Sequence, residues 1–308
     1  MQERDYKVRT VAEGFRFLEG PRWHKGALYF SDFYDRAIYR LESDESVTTL
    51  CELPDWVSGL GFMPDGDLLY VSVSEHKLYR RSADGSLTEH ADLNALVSHN
   101  CNDMLVDEAG RAYVGNFGFD VPPTRTVGEI AEGQRARATK LVMVSPEGMA
   151  STVDSSLIFP NGMARSRDRR TLLVAETFRG RVSAFDIAED GSLSGQRPWA
   201  DFAGRDYASA IEALDADVPL PDGIAMDSEG ALWIADAGAT AVIRVAEGGE
   251  ILERISTPGL TSFAVAFGGD DLKTLYMLAG PPFYTHDPLA EKASVLLAAR
   301  VDVAGVPL

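Results

Sequence analysis

The sequence predicts an all-β chain, a six-bladed β-propeller with four-stranded blades and a ring closed by the N-terminal strand, folded as a single domain over residues 1–308. Three observations carry this expectation. A unit of short apolar strand, polar turn, more apolar strand, loop and third strand recurs six times, as in GPRWHKGALYFSDFYDRAIYRL and PDGIAMDSEGALWIADAGATAVIRV. Such self-similarity at about forty to sixty residues is the mark of propeller blades with insertions. No segment sustains an apolar period of 3.6, so helices are expected to be few.

The units begin near Gly20, Gly59, Asn102, Asn161, Asp222 and Ser262. Their first turns carry Asp65-Gly66, Glu108-Ala109-Gly110, Asp168-Arg169 and Glu229-Gly230, residues that tolerate positive φ and close tight hairpins. The sixth unit supplies only three strands, Phe263–Phe267, Lys273–Ala279 and Ser294–Val301. The N-terminal Tyr6–Val11 is expected to add the missing outer strand, closing the ring and removing open edges. Ala208–Ala216 is the candidate for a short helix.

Composition narrows the function. Hydrophobic residues are 45% of the chain, enough for a large core. A formal net charge of −18 argues against nucleic acid and anionic membranes, which select basic surfaces. Cys51 and Cys101 match no metal or redox spacing and are expected as free thiols. The start, MQERDYKVRT, has no apolar signal stretch, and no apolar run reaches the ~18 residues of a membrane span. The expectation is a cytoplasmic protein acting on a small molecule.

In a propeller, the loop that hands one blade to the next shares a face with the loop between second and third strands. The residue just before each inner strand therefore points to the axis on one face. Those positions hold Glu19, Ser58, Asn102, Asn161, Asp222 and Ser262. Four of the six offer the carboxylate and amide oxygens that hard cations prefer, and two are acids, matching a divalent ion. Asn161-Gly162 and Asp222-Gly223 are also ordinary turn dipeptides; the shared register is what makes them a set. The expected cofactor is one divalent cation, calcium first, with zinc, manganese or magnesium as alternatives.

The same face receives long segments: Phe117–Arg137 with Phe117, Phe119, Val121 and Pro122-Pro123; Gly280–Lys292 with Phe283, Tyr284 and His286; and Ala203–Leu220 with Tyr207. Trp56 and Phe178 fall near the same rim. Long loops gathered on one face suggest a lid over an apolar pocket.

At these residues the sequence resembles the SMP-30/gluconolactonase/luciferin-regenerating-enzyme family, which includes regucalcin. The likeness rests on Glu19-Gly20-Pro21 with Trp23, Leu28-Tyr29-Phe30-Ser31-Asp32, Ile38-Tyr39-Arg40, Asn102-Asp103 with Asp107, Gly110 and Arg111, Pro160-Asn161-Gly162, and Pro221-Asp222-Gly223 with Asp227, Gly230 and Trp233. It implies a lactone hydrolase with Glu19, Asn161 and Asp222 as metal ligands and Asn102 as ligand or substrate contact. Asp222 is then the expected general base, with Asn102 donating to a substrate oxygen and Asp103 orienting its loop. Sugar-lactone members carry an arginine where this chain has Asn100, which favours a more apolar or aromatic lactone. An organophosphate-type hydrolase on the same site and a non-enzymatic calcium-binding or interaction propeller are the alternatives. Gly-x-Ser-x-Gly is absent, and His24, His76, His90, His99 and His286 lack zinc-protease spacing.

Overall fold

The computed structural model describes residues 6–120, 137–207, 209–283 and 285–307. Six four-stranded antiparallel sheets surround one axis. From the axis outward, blade I is Leu18–His24, Ala27–Asp32, Ala37–Leu41 and Val47–Glu52; blade II is Val57–Phe62, Leu68–Ser72, Lys77–Arg81 and Leu87–Asp92. Blade III is Cys101–Val106, Ala112–Asn116, Val142–Val144 and Ala150–Thr152; blade IV is Pro160–Arg165, Thr171–Glu176, Arg181–Ile187 and Leu193–Asp201. Blade V is Pro221–Met226, Leu232–Asp236, Ala241–Val245 and Ile251–Ser256. Blade VI is Thr261–Gly268, Thr274–Gly280, Ser294–Arg300 and the N-terminal strand Arg9–Phe15.

The N-terminal strand thus closes the ring, displaced a few residues from the expected Tyr6–Val11. Its register runs from Arg9 opposite Ala298 to Phe15 opposite Ser294. The reason for the shift is burial: Phe15 meets Phe30 and Tyr39 edge-on and anchors the strand's end. Tyr6 falls outside the strand, edge-on to Trp233 and donating to Glu253. The expected helix appears as Ala210–Leu214, capped by the Ser209 hydroxyl accepting from the Glu212 N–H. Among the described residues no helix is long and apolar enough to cross a membrane. Cys51 and Cys101 are free thiols.

Two devices repeat around the ring. In the first turn, Asp107 accepts the N–H groups of Ala109 and Arg111, and Asp227 those of Glu229 and Ala231. This accounts for the Asp-x-x-Gly spacing, since Gly110 and Gly230 complete each turn at positive φ. At the opposite end, the last residue of the second strand ties down the handover loop. Asp32 accepts from the Arg16 and Phe17 N–H, Glu176 from Ile158 and Asp236 from Leu220. These bonds fix where the chain enters the inner strands of blades I, IV and V, and so where Glu19, Asn161 and Asp222 stand.

Asp32 generates a pH test. It is buried, and desolvation pushes its carboxyl from the ordinary 3.8 up to about 6 against the pull of three backbone N–H donors. A folded-state value above the unfolded one means that its stabilising contribution is full below about pH 4 and is lost as pH rises through 6, about 3 kcal/mol in all. Asp32→Asn cannot ionise. The stability advantage of the parent over this variant should therefore shrink by up to about 3 kcal/mol between pH 4 and pH 7. Urea titrations at several pH values measure it, and a constant gap overturns the assignment.

Candidate active site on the propeller axis

Each inner strand is irregular at the same place. The pairing register between first and second strands slips between Glu19 and Arg22, Val57 and Leu60, Cys101 and Met104, Pro160 and Met163, Pro221 and Ile224, and Ser262 and Ala264. A bulge there turns a side chain out of the sheet's alternation and along the axis. Four of the six axial residues are followed by glycine. A Cβ on Gly162 would lie 2.5 Å from the Asp222 carbonyl oxygen, and one on Gly223 2.5 Å from Ala264 Cα. Neither glycine closes a turn. Both sit inside strands, where a missing side chain lets neighbouring backbones touch and draws the axial residues together.

Glu19, Ser58, Asn102, Asn161, Asp222 and Ser262 are all buried. The Ser58 hydroxyl donates to Asn102 Oδ1 at 3.2 Å, and Asn102 Nδ2 donates to Asn161 Oδ1 at 3.0 Å. Asn161 Nδ2 donates to Thr177 Oγ1 at 3.2 Å, and that hydroxyl donates to the Pro221 carbonyl at 2.9 Å. Glu19 Oε2 accepts from the Gly20 N–H at 3.3 Å. Asp222 Oδ1 and Ser262 Oγ are buried with no hydrogen-bond partner among the described residues.

Below this set Arg22 crosses the channel from blade I to blade III. Its Nη2 reaches Asp103 Oδ1 at 3.1 Å and also the Met104 carbonyl. Asp103 further accepts from the Met104 N–H at 2.8 Å. Burial, then the charges of Asp222 and Asp103, push Glu19 well above the usual carboxylate range; burial, then Asp103, do the same to Asp222. Burial also raises Asp103, with Arg22 opposing.

The residues fit a divalent ion. Three buried acids against one guanidinium leave a formal charge of −2 on the axis. A buried carboxylate oxygen without a donor is costly unless something positive faces it. Among the described residues no three His, Cys, Asp or Glu side chains form a ligand set by themselves. Two carboxylates with amide oxygens are the mixed hard-oxygen set that calcium accepts.

Above the polar set the wall is aromatic. Phe17, Phe33, Phe117, Phe159, Phe178, Phe263 and Phe283 line one cavity with Glu19, Asn102, Asn161, Thr177 and Asp222. Phe159 adopts φ 52°, the left-handed region, at a cost of about 1–2 kcal/mol for a residue with a Cβ. Its carbonyl there accepts the Thr177 N–H at 3.2 Å.

The structure therefore brings Glu19, Asn102, Asn161, Asp222, Phe117, Phe178 and Phe283 to one cavity. Trp56 and Phe119 belong to the same cluster one layer back, Trp56 against Phe33 and Phe119 against Phe117, Phe159 and Phe178. Asn100 is buried beside blade II, its Nδ2 donating to the Val73 carbonyl at 3.5 Å. His286 stands toward Glu291, 3.9 Å away. Tyr284, Val121, Pro122 and Pro123 lie outside the described residues. Sequence reading missed Phe17, Phe33, Phe159, Phe263 and Thr177. Each lies in or just before an inner strand or just after a second strand, and the face rule that found Trp56 and Phe178 applies to them too.

Six blades around a buried polar axis, roofed by aromatic loops, define a propeller of the regucalcin and luciferin-regenerating-enzyme type. The calcium-binding regucalcin of Agrobacterium tumefaciens superposes with a TM-score of 0.79 at 22% identity, covering 100% of this chain and 99% of its own. A luciferin-regenerating enzyme does so at 0.79 and 20% identity, covering 99% of each chain. The chain belongs to the SMP-30/Gluconolactonase/LRE-like family, which matches residues 17–280. Curated relatives include the 6-deoxy-6-sulfogluconolactonase of Pseudomonas putida, 28% identical over 93% of this chain and 92% of the relative. The pentonolactonase of Haloferax volcanii is 27% identical over 88% and 84%.

Close packing at Gly223 is open to test. Gly223→Ala must push blade V from blade VI, because the contacts are the Ala264 Cα and Cβ and the Phe263 carbonyl oxygen, none of which can swing away. The variant should lose about 1–3 kcal/mol of stability, the usual cost of overpacking, measured by chemical denaturation. Unchanged stability overturns the packing argument.

Proposed function

We propose that this protein is a divalent-metal-dependent lactonase, with calcium as the first candidate ion, acting on a lactone of apolar or aromatic character. One observation carries the reading: Glu19, Asn102, Asn161 and Asp222 converge from four blades on a cavity whose wall is otherwise mostly phenylalanine. Family membership and lactonase relatives support the reaction class, and the calcium-binding regucalcin supports the ion. The relatives named for sugar lactones act on polyhydroxylated rings. Among the described residues the wall beyond the axial set is Thr177, Ala237 and seven phenylalanines, and seven phenyl rings suit an apolar body.

Glu19, Asn161 and Asp222 would hold the ion, with Asn102 as a further ligand or close neighbour. When bound, the ion supplies Lewis-acid polarisation of the ester carbonyl and favours the ionised acids. Asp222 takes a proton from the attacking water as its oxygen bonds to the carbonyl carbon. The ring C–O bond then breaks and the leaving oxygen takes up that proton, giving a hydroxy acid with no change of oxidation state. The Asn102 N–H donates to a substrate oxygen. Arg22 and Asp103 hold the Asn102 segment, and the phenylalanines exclude bulk water.

Two outcomes follow. On a lactone panel, aryl and alkyl lactones should exceed gluconolactone in kcat/KM, and chelation should abolish turnover. A preference for gluconolactone overturns the substrate class, and chelator-resistant turnover the metal requirement. Asp222→Asn keeps one ligand oxygen and nearly the same shape but loses the base. Its kcat at saturating calcium should fall by about 10²–10⁴-fold. Full turnover restored by saturating metal would reduce Asp222 to a ligand.

A further inference from the structure

Asparagine offers two faces of nearly equal shape, one an acceptor and the other a donor pair. A cation site needs the oxygen, so something must fix the amide's direction. In this chain the direction follows from a carbonyl. The Pro221 C=O can only accept, so the Thr177 hydroxyl, 2.9 Å away, must donate to it. That spends the only proton of Thr177. Toward Asn161, at 3.2 Å, Thr177 Oγ1 can then only accept, and Asn161 must present its Nδ2. The Asn161 oxygen is thereby turned to the axis, where it accepts from Asn102 Nδ2. The same logic passes on, for Asn102 is left with its oxygen toward the Ser58 hydroxyl.

Thr177 is itself rigidly placed. It is buried at the end of the second strand of blade IV and opens the 3₁₀ turn Thr177–Arg179. Its N–H donates to the Phe159 carbonyl and its C=O accepts from Gly180. Its β-branch limits χ1. The acceptor it points at, Pro221, is the neighbour of Asp222, so one hydroxyl links the handover into blade V to the amide of blade IV.

We propose that Thr177 is a positioning residue that sets the polarity of the Asn161–Asn102 amide pair and so creates an oxygen-lined cation position. The proposal rests on the reading of Glu19, Asn161 and Asp222 as cation ligands. The substitutions that test it separate polarity from packing. Thr177→Val keeps the branched shape but removes the hydroxyl. Thr177→Ser keeps the hydroxyl but drops the methyl. A packing role ranks valine above serine; a polarity role ranks serine above valine.

Calcium chloride is titrated calorimetrically into the chelator-treated full chain. Relative to the parent, Thr177→Val should weaken the calcium Kd by about 10–100-fold, the usual loss for a residue that orients a ligand. Thr177→Ser should stay within about threefold on the same scale. Thr177→Ala, also lacking the hydroxyl, should match valine and stands in for it if valine does not fold. Side-chain amide NMR gives a second readout without metal. The Asn161 NH₂ protons should be protected from exchange in the parent and serine proteins and lose that protection in the valine or alanine variant. A parent that binds no calcium sinks the cation reading, and the NMR comparison still decides the role of Thr177. A parent that binds while Thr177→Val or Thr177→Ala binds equally well, with Asn161 protection unchanged, overturns the proposal.

Discussion

Backbone contact between neighbouring inner strands is the constraint on which the rest of this molecule depends. Six strands that splay from one axis leave a channel wide enough for water unless they approach closely where they meet. The chain meets this with a bulge at one register position in every inner strand and with glycine after four of the six axial residues. The bulge points a side chain along the axis, and the glycine lets the next strand's backbone occupy the space of its Cβ. Blade III departs from the pattern. Where its neighbours have glycine it has Asp103, whose side chain enters the channel and meets Arg22. The plug of the channel and the floor of the site are thus one ion pair, made possible by one replaced glycine.

Electrostatics gives this geometry its chemical meaning. Isolated buried carboxylates cost several kcal/mol each, and here burial raises all three, while Asp103 further raises Glu19 and Asp222, and Asp222 raises Glu19. Arg22 offsets one. Among the described residues, the remaining two face a cavity whose upper wall is largely phenylalanine. Buried acids of this kind fit a small cation. The aromatic roof serves the same end, since a low-dielectric surround strengthens any charge interaction beneath it.

Much of this was legible in the sequence because it repeats. The six-unit period gave blade number and strand order, and the missing strand of the last unit pointed to the N-terminus for closure. Register alone gathered Glu19, Asn102, Asn161 and Asp222, which no local motif could do. What escaped was whatever depends on neighbours in space rather than on position in the repeat. Asn161-Gly162 and Asp222-Gly223 look like turns when read locally; only the next blade's backbone shows why the glycine is there. Phe17, Phe33, Phe159 and Phe263 sit in short segments that carry no length signal, unlike the long loops of Phe117 and Phe283. Thr177 was invisible because its role is a hydrogen-bond direction, set by a carbonyl 44 positions away in the chain.

The two layers of the site obey different rules, and this bears on how such a molecule changes its substrate. Axial groups stand on inner strands whose backbones touch, so a shift in one is passed to its neighbours. Most of the phenylalanines come from handover loops and second-to-third strand loops, which can alter without moving a strand. Phe263 stands within the inner strand of blade VI, and Phe159 is the other exception. It lines the cavity, yet it stands two residues before Asn161, holds a strained φ and accepts the Thr177 N–H through its carbonyl. A change there alters pocket shape and amide geometry together. Selectivity for the lactone body can therefore be retuned at Phe33, Phe117 or Phe283 while the polar axis stays as it is, whereas a change at Phe159 must be compatible with both layers at once.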